Sequence, residues 1–135
     1  MLGEEFPKTI GHDHSKKFQE VYEVLRGNAI FIFQRYKNNK IKDVYAVRAK
    51  AKETVLVPPG YGHVTINPCK KELKMANWIS EKCKNSYSIF KKFHGACYYY
   101  TKRGWIKNEN YKKIPKLYFK KPLKKLPENL DFLKD

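Results

Sequence analysis

Cysteine, acidic residues and long apolar runs are all scarce in this chain, and each shortage removes a class of protein. The three cysteines, Cys69, Cys83 and Cys97, are odd in number, far apart and form no C-x-x-C pair. They give no disulfide framework and no zinc knuckle, and read as reduced thiols or core fillers of an intracellular protein. No stretch of about 18 apolar residues exists. The start carries Glu4, Glu5 and Pro7, so neither a membrane span nor a secretory signal is read. The cytoplasm is the default compartment, with no membrane partner. An internal repeat of solenoid length is also missing.

Acids number 13 against 29 Lys and Arg, a balance of +16. So basic a chain points to anionic partners: nucleic acid, phosphorylated metabolites or a membrane surface. The lysines are spread along the sequence and gather from Lys112 to Lys125, without the repeated aromatic and basic motif of an RNA-binding sheet. Nucleic acid is therefore disfavoured as a partner, and an AT-rich or heat-adapted genome accounts for most of the lysine.

Apolar side chains are plentiful. They make up 41% of 135 residues, with ten Tyr and eight Phe, enough for one packed domain, and the aromatics tilt it toward sheet. Residues 20–25 alternate as a strand, Arg26-Gly27-Asn28 turns it, Ala29–Gln34 is a compact apolar strand, and Lys37-Asn38-Asn39-Lys40 is a hairpin connection into Ile41–Arg48. These three read as successive antiparallel neighbours. Thr54–Val57, His63–Asn67 after a Pro and Gly corner, Leu73–Ser80 and a tyrosine-rich Ala96–Thr101 extend the series, and Asn85 is placed to cap a short helix over 86–93 ended by Gly95. Beyond Trp105 the chain turns Lys- and Pro-rich. The expectation is a barrel over residues 1–111 and a basic tail or surface wrap over 112–135.

Two stretches fit together within this frame. His12-Asp13-His14 is followed by Glu20, and Pro58-Pro59-Gly60-Tyr61-Gly62-His63 leads to Asn67. In a strand His12 and His14 project from one face about 7 Å apart. Glu20 opens the next strand, whose antiparallel return would set it opposite them, and His63 would complete the set from across a barrel. Three imidazoles and a carboxylate suit a divalent metal with open positions. Any one of these histidines alone reads equally well as a satisfied core or surface group.

Gly11-His12-Asp13-His14 with Glu20 and Gly27 resembles the first cupin motif, and Pro58 to His63 with Asn67 resembles the second. The stretch from Gly3 to His14, together with Glu20-Val21-Tyr22, resembles the archaeal cupin-type glucose-6-phosphate isomerases. That resemblance implies a cupin-type antiparallel β-barrel or jelly roll with a minor helix and a Lys/Pro-rich tail. It implies metal ligation by His12, His14, Glu20 and His63, commonly of iron(II), with nickel, manganese or zinc as replacements. It sets Thr9 and Gly11 by a substrate phosphate, Glu20 in the catalytic position with Tyr22 by the reacting carbons, and Tyr87 near the mouth. The expected partners are a small-molecule sugar phosphate and a second copy in a homodimer.

The sequence departs from the family at Lys52, where the second motif usually opens with glycine, and in a loop between His14 and Glu20 that is one residue shorter. The isomerases carry further strands before the position of Gly3, so the resemblance is to an N-terminally shortened relative. Two other readings stay open. One is a cupin metalloenzyme of different chemistry; the other is a non-catalytic cupin that binds a sugar or nucleic acid.

Overall fold

A computed structural model describes residues 4–14 and 18–134, without the side chains of His14 and Lys134. The described strands are β1 (His12–His14), β2 (Glu20–Arg26), β3 (Asn28–Lys37), β4 (Lys40–Lys50), β5 (Thr54–Val57), β6 (Gly62–Ile66), β7 (Lys74–Ile79) and β8 (Asn85–Ser86). A short helix α1 (Ser88–Lys92) follows, then β9 (Tyr98–Thr101), β10 (Gly104–Lys107), β11 (Tyr118–Lys120) and a terminal 3₁₀ turn (Asp131–Lys134). The fold is all-β and cupin-like in layout. A sheet of order β11-β4-β3-β6-β1-β8 faces a smaller one of order β5-β2-β7, and β9 and β10 form a separate hairpin.

The long strands β3 and β4 organise the molecule. Asn38 and Asn39 both adopt left-handed backbone, with φ of 54° and 62°, the geometry that matches a two-residue turn to the twist of its strands. The strands then pair from Lys37↔Lys40 to Asn28↔Lys50. Residues 29–33 are apolar without alternation because both faces of this sheet are covered. Ile30 and Ile32 join Val64, Ile66, Phe90 and Tyr98 in one core. Phe31 and Phe33 point the opposite way and meet Val24, Val55 and Val57 of the facing sheet. Full burial of each such side chain is worth about 1.5–3 kcal/mol. A buried amide ties down the layer behind: Gln34 Oε1 accepts from Cys97 N–H at 2.9 Å, and its Nε2 lies 3.1 Å from the Tyr111 hydroxyl.

Two expectations need correction. The strand at 20–26 does not pair with the one at 28–37; β2 lies between β5 and β7 in the other sheet. The crossing occurs at Gly27, whose φ of +87° favours glycine and where a Cβ would collide with the Glu72 carbonyl. The helix is also shorter than 86–93 and is not capped by Asn85. It starts after Tyr87 without a side-chain cap, because Asn85 and Ser86 are taken up as strand partners of His14 and Asp13. Gly95 does end it, with its N–H donating to the Phe90 carbonyl at 2.8 Å.

The segment after residue 111 runs along the molecule. β11 adds to β4 in parallel, Leu123 exchanges backbone hydrogen bonds with Thr54, and Leu133 is buried. No described helix is long and apolar enough to cross a membrane.

Lys52 has φ of +77°, and its N–H donates to the Val24 carbonyl at 2.7 Å. A side chain in the left-handed region costs about 1–2 kcal/mol, partly offset by the greater freedom glycine has when unfolded. Lys52→Gly is expected to stabilise the protein by up to about 1 kcal/mol. Urea unfolding would show a higher midpoint at unchanged slope; a lower midpoint would contradict this account of the turn.

Candidate metal centre

The register of β1 on β6 sets His12 directly opposite His63. Alternation along β6 sends Val64 and Ile66 into the rear core and His63 toward the facing sheet, where the Tyr22 ring lies 5.4 Å from its own. Glu20 opens β2 in that facing sheet. His12 Nε2 and His63 Nε2 lie 3.1 Å apart, and Glu20 Oε1 is 3.1 Å from His63 Nε2 and 3.8 Å from His12 Nε2. Glu20 and His63 are each only 2% exposed, whereas His12 is 16% exposed, so the group is reached from the His12 side.

The route by which these side chains meet reverses the expectation. Glu20 was to pair beside the histidines and His63 to come from across the barrel. Instead His63 is the hydrogen-bonded strand neighbour of His12, and Glu20 crosses the gap between sheets. The cause is the chain's passage into the second sheet at β2, which removes any β1–β2 pairing. β1 also runs through His14, but its side chain lies outside the described residues.

Two imidazole nitrogens and one carboxylate oxygen within 4.8 Å of one another form a group that could hold a metal ion. A shell with bonds of about 2.1 Å spaces its donors roughly 3.0–3.4 Å apart at right-angled or tetrahedral corners. Two of the three observed separations, both 3.1 Å, fall in that window, and the third is 3.8 Å. Burying a carboxylate costs several kcal/mol unless it is compensated. Glu20 is compensated: Asn77 Nδ2 donates to its Oε2 at 2.6 Å, and the Tyr22 hydroxyl hydrogen-bonds to the carboxylate. Burial, and then the Glu20 charge, hold the Tyr22 phenol far above its ordinary pKa, so it keeps its proton.

The remaining expected site residues divide. Tyr22 stands in the group, and the exposed Tyr87 sits at its rim, its ring 5.6 Å from that of His12. Thr9 is tied to β6: its hydroxyl accepts the Thr65 N–H at 3.0 Å and its own N–H donates to the Thr65 carbonyl. Gly11 is buried with φ of +94°, and a Cβ there would lie 2.6 Å from Val64 Cγ2 and 2.8 Å from the Phe90 ring, so packing alone demands glycine. Asn77 was missed. Its signal was a polar residue between Met75 and Ile79 on one face of a strand. Lys91 was also missed; its ammonium lies 5.9 Å from the centre of the Tyr87 ring.

Facing sheets that enclose a His, Glu and His group define an all-β protein with a candidate mononuclear metal centre. A comparison with models of protein families matches residues 1–116 to Glucose-6-phosphate isomerase (GPI), and the chain belongs to that family. No curated protein matches it.

Gly11→Ala is expected to destabilise the fold by about 1–3 kcal/mol through overpacking alone, with the left-handed backbone adding to the loss. Thermal unfolding checks this. Unchanged stability with weakened ligand binding would instead make Gly11 a binding residue first.

Proposed function

We propose that the chain is a cupin-type, metal-dependent glucose-6-phosphate isomerase that interconverts glucose 6-phosphate and fructose 6-phosphate. The observation that carries this reading is the meeting of His12, Glu20 and His63 within 4.8 Å of one another in a chain of the isomerase family. His12, Glu20, His63 and, by its place on β1, His14 would hold the ion. Two histidines with a carboxylate favour iron(II), and nickel, manganese and zinc are the alternatives. A bound divalent ion would polarise the oxygens on C1 and C2 and stabilise the negative charge that develops there.

The protein's own groups supply the rest. Glu20 is the carboxylate nearest the reacting carbons, and Asn77 and Tyr22 fix its orientation. Tyr22, its O–H given to Glu20, can accept a hydrogen bond from a substrate hydroxyl. Tyr87 lines the mouth, and Lys91 beside it provides a cation for an anionic substrate. Thr9 and Gly11 would lie by the phosphate. Hydrogen moves between C1 and C2 with no net oxidation, so no further co-substrate is needed. A carboxylate that holds a metal ion is a weaker base. An enediol route therefore needs one oxygen to be released, and would bring solvent deuterium into the product; a direct shift would not. This reading also makes the protein a cytoplasmic homodimer of glycolysis or gluconeogenesis, with residues 1–111 as the cupin barrel.

Purified protein assayed for conversion of fructose 6-phosphate is expected to lose at least 100-fold of its activity on chelation and to recover it with iron(II), by analogy with the loss of a catalytic ion. Asn77→Ala should lower activity or metal affinity by about 10–100-fold while the fold is kept. Turnover indifferent to chelation would remove the metal from the mechanism. Stoichiometric metal without turnover would point to a different cupin chemistry or a binding protein.

A further inference from the structure

On the face of the large sheet turned away from His63, a cavity of about 480 Å³ opens between the β3–β4 hairpin, the end of α1 and residues 110–113. Its floor is aromatic. The Tyr36 and Phe93 rings lie 5.9 Å apart, and Phe93 and Tyr111 lie 4.5 Å apart. Tyr111 is fixed from behind, its hydroxyl donating to the Gly95 carbonyl at 2.8 Å. The rings are tilted to one another by 52° and 32° and Tyr111 is buried, so the half-buried Tyr36 and Phe93 carry the accessible aromatic surface.

The charged residues of the rim are all cationic. Lys40, Lys92, Lys112 and Lys113 line the cavity, and no acidic residue does. Among the described residues none of these lysines takes part in an ion pair, and Lys92 stands 5.3 Å from the centre of the Phe93 ring. Positive charge accumulates further along the hairpin. The Lys42 ammonium is held below the ordinary lysine range by desolvation and by the charges of Lys40, Arg35 and Lys37. Solvated lysines on a basic surface spread apart to limit repulsion; here they stand around a hollow lined by no carboxylate.

We propose that this cavity binds a mononucleotide, with its base on the aromatic floor and its phosphates among the rim lysines. A flat π-face stacks on Tyr and Phe. Asn39 and Asn110 on the rim carry amide groups able to pair with a base edge. The volume lies within the range of small-molecule sites. The site shares no residue with the His12, Glu20 and His63 group, so it stands or falls independently of the isomerase reading.

The test is calorimetric titration of the full chain with ADP, and with adenosine, inorganic pyrophosphate and a short single-stranded oligonucleotide as separate probes. ADP is expected to bind one to one, with adenosine and pyrophosphate each at least 10-fold weaker. The double variant Lys112→Glu/Lys113→Glu should weaken ADP at least 10-fold, and the tail variant Lys124→Glu/Lys125→Glu, with the same change in charge, should not. Tyr36→Ala, verified as folded by thermal unfolding, should weaken ADP while leaving pyrophosphate unchanged. The proposal is overturned if ADP does not bind, if pyrophosphate binds as well as ADP, if the tail variant loses as much as the rim variant, or if only the oligonucleotide binds.

Discussion

A carboxylate buried between two sheets is the constraint on which the rest of this structure depends. Glu20 is 2% exposed, and such a group is tolerated only where several partners share its charge. The fold brings those partners from four strands: His12 on β1, His63 on β6, Asn77 on β7 and Tyr22 on β2 itself. Each strand is held in place for reasons unrelated to chemistry, by hairpin register, by apolar side chains on both faces of the large sheet, or by a glycine that lets the chain cross between layers. The site thus rests on rigid elements rather than on loops. That arrangement can hold several donor atoms within a few tenths of an ångström of a required geometry.

Much of this was legible in the sequence because its signals are local. The hairpin at Asn38-Asn39 follows from two residues that tolerate left-handed backbone. The strands follow from aromatic and β-branched runs, and the grouping of His12, Glu20 and His63 from the small number of histidines and their spacing, whereas the side chain of His14, expected with them, lies outside the described residues. Sheet membership was not legible. Whether β2 continues beside β3 or crosses to the facing layer depends on what the Gly27 backbone meets, and that neighbour, Glu72, lies 45 positions away in the sequence. The same nonlocal pairing claimed Asn85 and Ser86 for the edge of β1 and shortened the helix. Asn77 went unread because its role exists only once β7 lies beside β2.

Lys52 and Gly11 mark opposite cases of departure from and adherence to a motif. At Lys52 a lysine holds left-handed backbone; the exposed side chain tolerates it because only conformational energy is lost. At Gly11 the backbone is also left-handed, but Val64 and Phe90 fill the space a side chain would need. A glycine can therefore be dispensable or required according to what surrounds it, and a motif match carries no information about which applies.

The central claim, that His12, Glu20 and His63 together hold one divalent ion, is tested most directly by elemental analysis of protein reconstituted with iron(II), alongside the Glu20→Gln variant. The account predicts one ion per chain in the unaltered protein and a clear loss of that ion in the variant, with both proteins folded. Absence of any stoichiometric ion, or an ion retained equally well without the carboxylate charge, would contradict it.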